Sequence, residues 1–122
     1  MGFYIELVRK DPSRRTGGGR RGKHKGREDA GQAIDSFAEE GEIIRVVERE
    51  GADRLPTLAR LDPYGYHFFD AYWCELMLTD ISRINSSALS PSEAAVIEKL
   101  TRWAQVCVRA TDSDHIIRFI GD

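Results

Sequence analysis

The sequence predicts a single α+β domain dominated by helices, on three observations. A β-rich run, Phe3-Tyr4-Ile5-Glu6-Leu7-Val8, opens the chain, and a second, His115-Ile116-Ile117-Arg118-Phe119-Ile120, closes it. Between them apolar residues recur mostly at helical spacing. The length of 122 residues, with 41% apolar and 31% charged side chains, suits one modest core that folds without staples. The two β-rich runs bracket the chain and are expected as neighbours in a small sheet that the helices cover.

Residues 3–9 set Glu6 and Arg9 against Leu7 and Val8, which fits a strand buried on one face and partly on the other; it ends in Asp11-Pro12-Ser13. Arg9 to Arg27 gather nine Lys/Arg and five Gly around the single acid Asp11, without a large apolar side chain. Residues 10–27 are therefore expected to be a flexible basic Gly/Arg-rich insertion in a domain spanning residues 1–122. The chain carries 18 basic and 20 acidic residues; setting 9–27 aside leaves 9 against 19, a body of about −10. Such segregation suits a cationic arm that meets an anionic partner, or a loop folded back on its own acidic body.

Ala30, Ala33, Ile34 and Phe37 fall at i, i+3, i+4 and i+7, so residues 28–50 read as helical with a break at Gly41. Ile43, Ile44, Val46 and Val47, flanked by Glu42, Arg45, Glu48 and Glu50 and stopped by Gly51, favour a second helix over a short strand. Leu55 to Leu61 is a short apolar piece around Pro56. Asp62-Pro63-Tyr64-Gly65 has the residue types of a β-turn: a side-chain acceptor first, Pro second, Gly last. Tyr66 to Phe69 suits a few extended residues. Trp73, Leu76, Met77, Ile81 and Ile84 then mark a helix whose stripe only Asp80 interrupts. After the polar linker Asn85 to Leu89, Ser90-Pro91-Ser92-Glu93 is a capping box with Pro at the first helical position. Ile97, Leu100, Ala104, Cys107 and Val108 form the buried face of the helix it starts, which ends near Ala110 to Ser113. Two strands alone are marginal, so either Ile43 to Val47 or Tyr66 to Phe69 is expected to supply a third.

The residues exclude several chemistries. Gly17-Gly18-Gly19-Arg20-Arg21-Gly22-Lys23 matches a phosphate-loop pattern, but His24 stands where magnesium needs Ser or Thr, and no apolar helix follows. His24, His67 and His115 sit on three separate elements without metal-ligand spacing, so no metal or other cofactor is expected. Cys74 and Cys107 lie among apolar neighbours and read as buried thiols. No serine occupies a nucleophile elbow, and the chain is expected not to be an enzyme. Met1 to Val8 lacks the pattern of a signal peptide, and the Met1-Gly2 opening lacks the context for myristoylation. The apolar stretch Phe68 to Leu78 is interrupted by Asp70 and Glu75, so the expectation is a soluble cytoplasmic protein without membrane contact.

Two surfaces remain as binding candidates. Tyr64, Tyr66, Phe68, Phe69, Tyr72 and Trp73 crowd one stretch, and the tyrosines Tyr64 and Tyr66 beside Asp62 and Asp70 would make an acidic, amphipathic patch suited to a protein partner. The second is a nucleic-acid contact through Arg14, Arg15, Arg20, Arg21, Lys23, Lys25 and Arg27, although no aromatic residue interleaves with these cations to stack bases. Leu61-Asp62-Pro63-Tyr64-Gly65 and the closing Arg118-Phe119-Ile120-Gly121-Asp122 resemble the motifs of a group of small, mostly uncharacterised bacterial proteins. The resemblance covers most of the chain except the basic segment, implies an N-terminal strand and a turn leading to a helix, and brings no catalytic residues. The leading expectation is a non-catalytic protein-binding module, in one form an immunity-like protein that plugs a cationic toxin site. The alternatives are a nucleic-acid-associated protein using the basic loop, and an enzyme without a recognisable motif.

Overall fold

The structure is a computed structural model that describes residues 2–10, 31–109 and 114–121. Its elements in chain order are β1 (Phe3–Lys10), β2 (Gly31–Ala38), α1 (Glu42–Glu50), α2 (Pro56–Ala59), β3 (Tyr66–Phe69), α3 (Ala71–Ser82), a 3-10 turn at Ser86–Ala88, α4 (Pro91–Arg109) and β4 (His115–Gly121). The α+β class holds, and the terminal strands are indeed neighbours: the sheet order is β2-β1-β4-β3, with every adjacent pair antiparallel.

Two expectations need correction. Gly31–Ala38 is a strand, not the start of a helix. The helical spacing of Ala33, Ile34 and Phe37 arises because the β1–β2 register shifts between Leu7 and Val8: Leu7 opposes Asp35, Val8 opposes Ala33, and Ile34 is the extra residue. One inserted residue breaks the two-residue alternation that would mark a strand. The second correction is at the insertion boundary, because β1 runs through Lys10, which opposes Gly31. The remainder of the expected insertion, Asp11 to Arg27, lies outside the described residues, as do the phosphate-loop match and His24.

The described helices pack on one face of the sheet. Phe3, Ile5 and Leu7 from β1, Phe69 from β3, and Ile117 and Phe119 from β4 meet Ile43, Val46, Leu55, Leu58, Met77, Leu100 and Trp103 in one buried cluster. Phe119 is its hub, edge-on to Phe3 with ring centroids 6.0 Å apart and to Phe69 at 5.0 Å. Each such fully buried ring is worth roughly 1.5–3 kcal/mol over an exposed one. Cys74 and Cys107 are buried free thiols. The neighbouring Cys107 thiol, together with burial, pushes the Cys74 thiol well above its ordinary value and so keeps it protonated.

Three buried carboxylates tie these layers together, each at a helix start. Ser90 Oγ accepts the Glu93 N–H at 3.2 Å while Glu93 Oε1 accepts the Ser90 N–H at 3.0 Å, which is the expected capping box. Asp80, the interruption in the α3 stripe, accepts the N–H groups of Thr57 and Leu58, both at 2.8 Å. It thereby caps α2, whose own N-cap residue, Leu55, has no side-chain acceptor. Glu39 accepts the Ile43 N–H at 2.9 Å in the first turn of α1 and the Phe3 N–H at 2.8 Å at the start of β1.

Candidate functional site

The opposite face of the sheet is not packed by any of the described helices, and the aromatic residues that flank the turn are displayed there. The site begins with the turn itself. Gly65 N–H donates to the Asp62 carbonyl at 2.8 Å, and Asp62 Oδ1 accepts the Tyr64 N–H at 3.0 Å. The Asp62 N–H donates to His67 Nε2 at 2.9 Å. The turn is also pinned to the end of β4: Gly121 N–H donates to the Gly65 carbonyl at 2.7 Å, and a Cβ at Gly121 would lie 2.2 Å from the Pro63 carbonyl oxygen. Only glycine allows that approach.

Fixed in this way, the turn leaves Tyr64 71% exposed and sends the chain into β3 in a defined register. Tyr66 and Phe68 alternate onto the face opposite the described helices, with ring centroids 5.2 Å apart. Their partners across the sheet form two rows. Tyr66 faces Ile120, which faces Tyr4, which faces Ala38; Phe68 faces Arg118, which faces Glu6, which faces Ser36. Tyr4, Tyr66 and Phe68 are 46%, 55% and 41% exposed, with Ile34 exposed on β2.

A charge pair sits in the middle of this face. Arg118 Nε lies 2.7 Å from Glu6 Oε1, and the two side chains are only 11% and 15% exposed. Within the pair the two charges offset each other, and beside it the face shows the partly exposed rings of Tyr4, Tyr66 and Phe68. Tyr4 OH donates to Ser36 Oγ at 3.0 Å, which fixes the phenol at the β1–β2 side.

The predicted acidic and aromatic patch is thus divided. Tyr66 lies on the face opposite the described helices and Tyr64 on the turn that leads to it. Asp62 and Asp70 bracket β3 and remain exposed, but both already serve the fold. Asp62 holds the turn, and Asp70 is the N-cap of α3, accepting the Trp73 N–H at 3.2 Å. They form the rim of the site rather than its centre. Sequence reasoning missed Tyr4 and the Glu6–Arg118 pair. Alternation along residues 3–8 does put Tyr4 and Glu6 on the face opposite Phe3 and Ile5, but only the β1–β4 register shows what stands beside them.

Arg14, Arg15, Arg20, Arg21, Lys23, Lys25 and Arg27 lie outside the described residues. Among the described residues no cluster of three or more His, Cys, Asp or Glu is placed to hold a metal ion, and no helix is long and apolar enough to cross a membrane. Comparison with family models, curated proteins and solved structures finds no match to this chain.

Proposed function

We propose that this chain is a non-catalytic protein-binding module that docks its partner through the aromatic side chains on the sheet face opposite the described helices. The carrying observation is the display of Tyr4, Tyr66 and Phe68, each more than 40% exposed, around the Glu6–Arg118 ion pair. Large aromatic side chains bury much area at low entropic cost, and contiguous exposed apolar surface of this kind marks interaction sites. Asp62, which opens the turn before β3, and Asp70, which follows it, are exposed carboxylates on the same stretch as the aromatic residues and suit a partner with an apolar centre and basic surroundings. An immunity-like inhibitor seated on a cationic toxin is one form of this reading.

The test is co-purification and cross-linking of the tagged chain from its native host, comparing the parent with Tyr66→Ser/Phe68→Ser and with Tyr72→Ser. Tyr72 is exposed in the first turn of α3, is not part of the sheet, and serves as the control. A partner that is retained by the parent and the control, and lost by the double variant with its fold intact, is the expected result. An identical partner set for all three, or none for the parent, would overturn the proposal. For the inhibitor form, the retained partner should also be toxic when produced without this chain.

A further inference from the structure

The two cysteines, which the sheet face does not use, meet in the interior. Cys74 is in the first turn of α3 and Cys107 in the last turn of α4, and both are fully buried. The Cys74 thiol lies 3.6 Å from the Phe69 carbonyl oxygen and in hydrogen-bonding contact with the Cys107 sulfur, inside the main apolar cluster. α3 and α4 are consecutive helices joined through the 3-10 turn at Ser86–Ala88, so the two thiols come together at the end of this helical hairpin that lies away from its connection.

That position decides what the pair can do. Helix ends open at a lower free energy than helix centres, and an opening there admits a small molecule to sulfurs that the closed fold hides. The Cys74 proton has two acceptors, the Phe69 carbonyl and, once Cys107 has ionised, the Cys107 sulfur. The hydrogen bond from Cys74 lowers the Cys107 pKa against the opposing effect of burial, while Cys74 itself is held protonated. Cys107 is therefore the sulfur that ionises first, and the thiolate is the reactive form.

We propose that Cys74 and Cys107 are a redox couple, oxidised by a hydroperoxide to a disulfide that clamps the open end of the α3–α4 hairpin. The Cys107 thiolate attacks one peroxide oxygen and the O–O bond breaks. Cys107 becomes a sulfenic acid, and the departing hydroxide takes up the proton that Cys107 had released, forming water. The Cys74 sulfur then attacks the Cys107 sulfur: the S–S bond forms, the S–O bond breaks, and the hydroxide leaves with the Cys74 proton as a second water. The two thiols together lose two electrons, and the peroxide gains them. A small thiol reverses the bridge by exchange. The proposal stands apart from the sheet-face reading, because it concerns the helical layer and needs no partner protein.

The test exposes the reduced, folded full chain to millimolar hydrogen peroxide at neutral pH and follows intact mass, free thiols after denaturation, and peptide maps made without reductant. The expected result is a monomer lighter by about 2 Da, with both thiols lost together, a Cys74–Cys107 linked peptide, and full reversal by dithiothreitol. The near-ultraviolet circular dichroism of Trp73 and Trp103 should persist through the oxidation, and the equilibrium constant for urea unfolding should fall by about thirtyfold or more. For the order of attack, dimedone should trap a sulfenic acid several-fold more in Cys74→Ser, which keeps a donor beside Cys107, than in Cys107→Ser. Equal or reversed labelling would overturn that order. Thiols that stay free until urea unfolds the chain, sulfinic or sulfonic acid without a link, links formed only between chains, or a linked chain that unfolds more easily than the reduced one would each overturn the proposal.

Discussion

At the scale of single residues, the buried carboxylates Glu39, Asp80 and Glu93 explain how short helices hold together in so small a domain. A helix start leaves N–H groups without partners, and a buried N–H left unpaired costs about 1–3 kcal/mol. Glu93 does the most, because the same carboxylate closes the capping box and holds Arg45 and Arg49. The Arg49 guanidinium first, then the Ser90 N–H and Arg45, lower its pKa to about 2 from an ordinary 4.5. A carboxyl whose folded pKa is depressed contributes stability that is complete above its unfolded value and lost as pH falls through its folded value. That contribution should therefore be intact at neutral pH and fade between pH 4.5 and 2. The arginine partners are half-exposed and screened, so it should amount to on the order of 1–2 kcal/mol. Urea unfolding of the parent and Glu93→Gln across that range checks it: the gap between the two should close as pH falls. A gap that stays constant would mean that the carboxylate charge is not its source.

At the scale of elements, the turn and the strand end form one unit. Gly121 is in β4, yet the space that its missing side chain leaves is occupied by the Pro63 carbonyl. Gly121→Ala would place a methyl 2.2 Å from that oxygen and 2.8 Å from the Gly65 nitrogen, both backbone atoms that cannot swing aside. The expected cost is about 1–3 kcal/mol, in line with overpacking at a rigid contact. Thermal unfolding should show a lower midpoint, and amide shifts should change over residues 62–68 together. Changes confined to residues 119–122 would contradict the coupling. Elements governed by local chemistry were legible in the sequence: the Asp62 to Gly65 turn, the Ser90 to Glu93 box, α3, α4 and both terminal strands. Those that depend on a distant partner were not. β2 was hidden because its bulge opposite Leu7 and Val8 removed the alternation, and Asp80 looked like a flaw until α2 supplied two N–H groups to it. The site was half legible for the same reason: Tyr66 follows from the turn, whereas Tyr4 joins it only through the β1–β4 pairing.

At the scale of the whole molecule, the interior is drawn from segments on both sides of the basic stretch. The buried cluster contains Phe3, Ile5 and Leu7 from before it and its other members from Ile43 onward. Residues 11–30 offer no large apolar side chain to such a core, and β1 and β2 already face each other with Lys10 opposite Gly31. That geometry suits a two-residue hairpin connection, for which Asn-Gly supplies the required positive φ angles. Replacing residues 11–30 by Asn-Gly removes seven bases and three acids and takes the formal charge from −2 to −6. Shortening the connection from twenty residues to two is roughly three halvings, each worth about 0.6 kcal/mol of closure entropy, so the folded state should gain up to about 2 kcal/mol. The added self-repulsion on an acidic body offsets part of that gain at low salt and little of it at physiological ionic strength. Urea unfolding at physiological salt should therefore give a midpoint at or above that of the parent, with the near-ultraviolet circular dichroism of Trp73 and Trp103 unchanged. A loss of about 1–2 kcal/mol or more, or loss of that aromatic signal, would show that the cationic stretch is part of the packed structure.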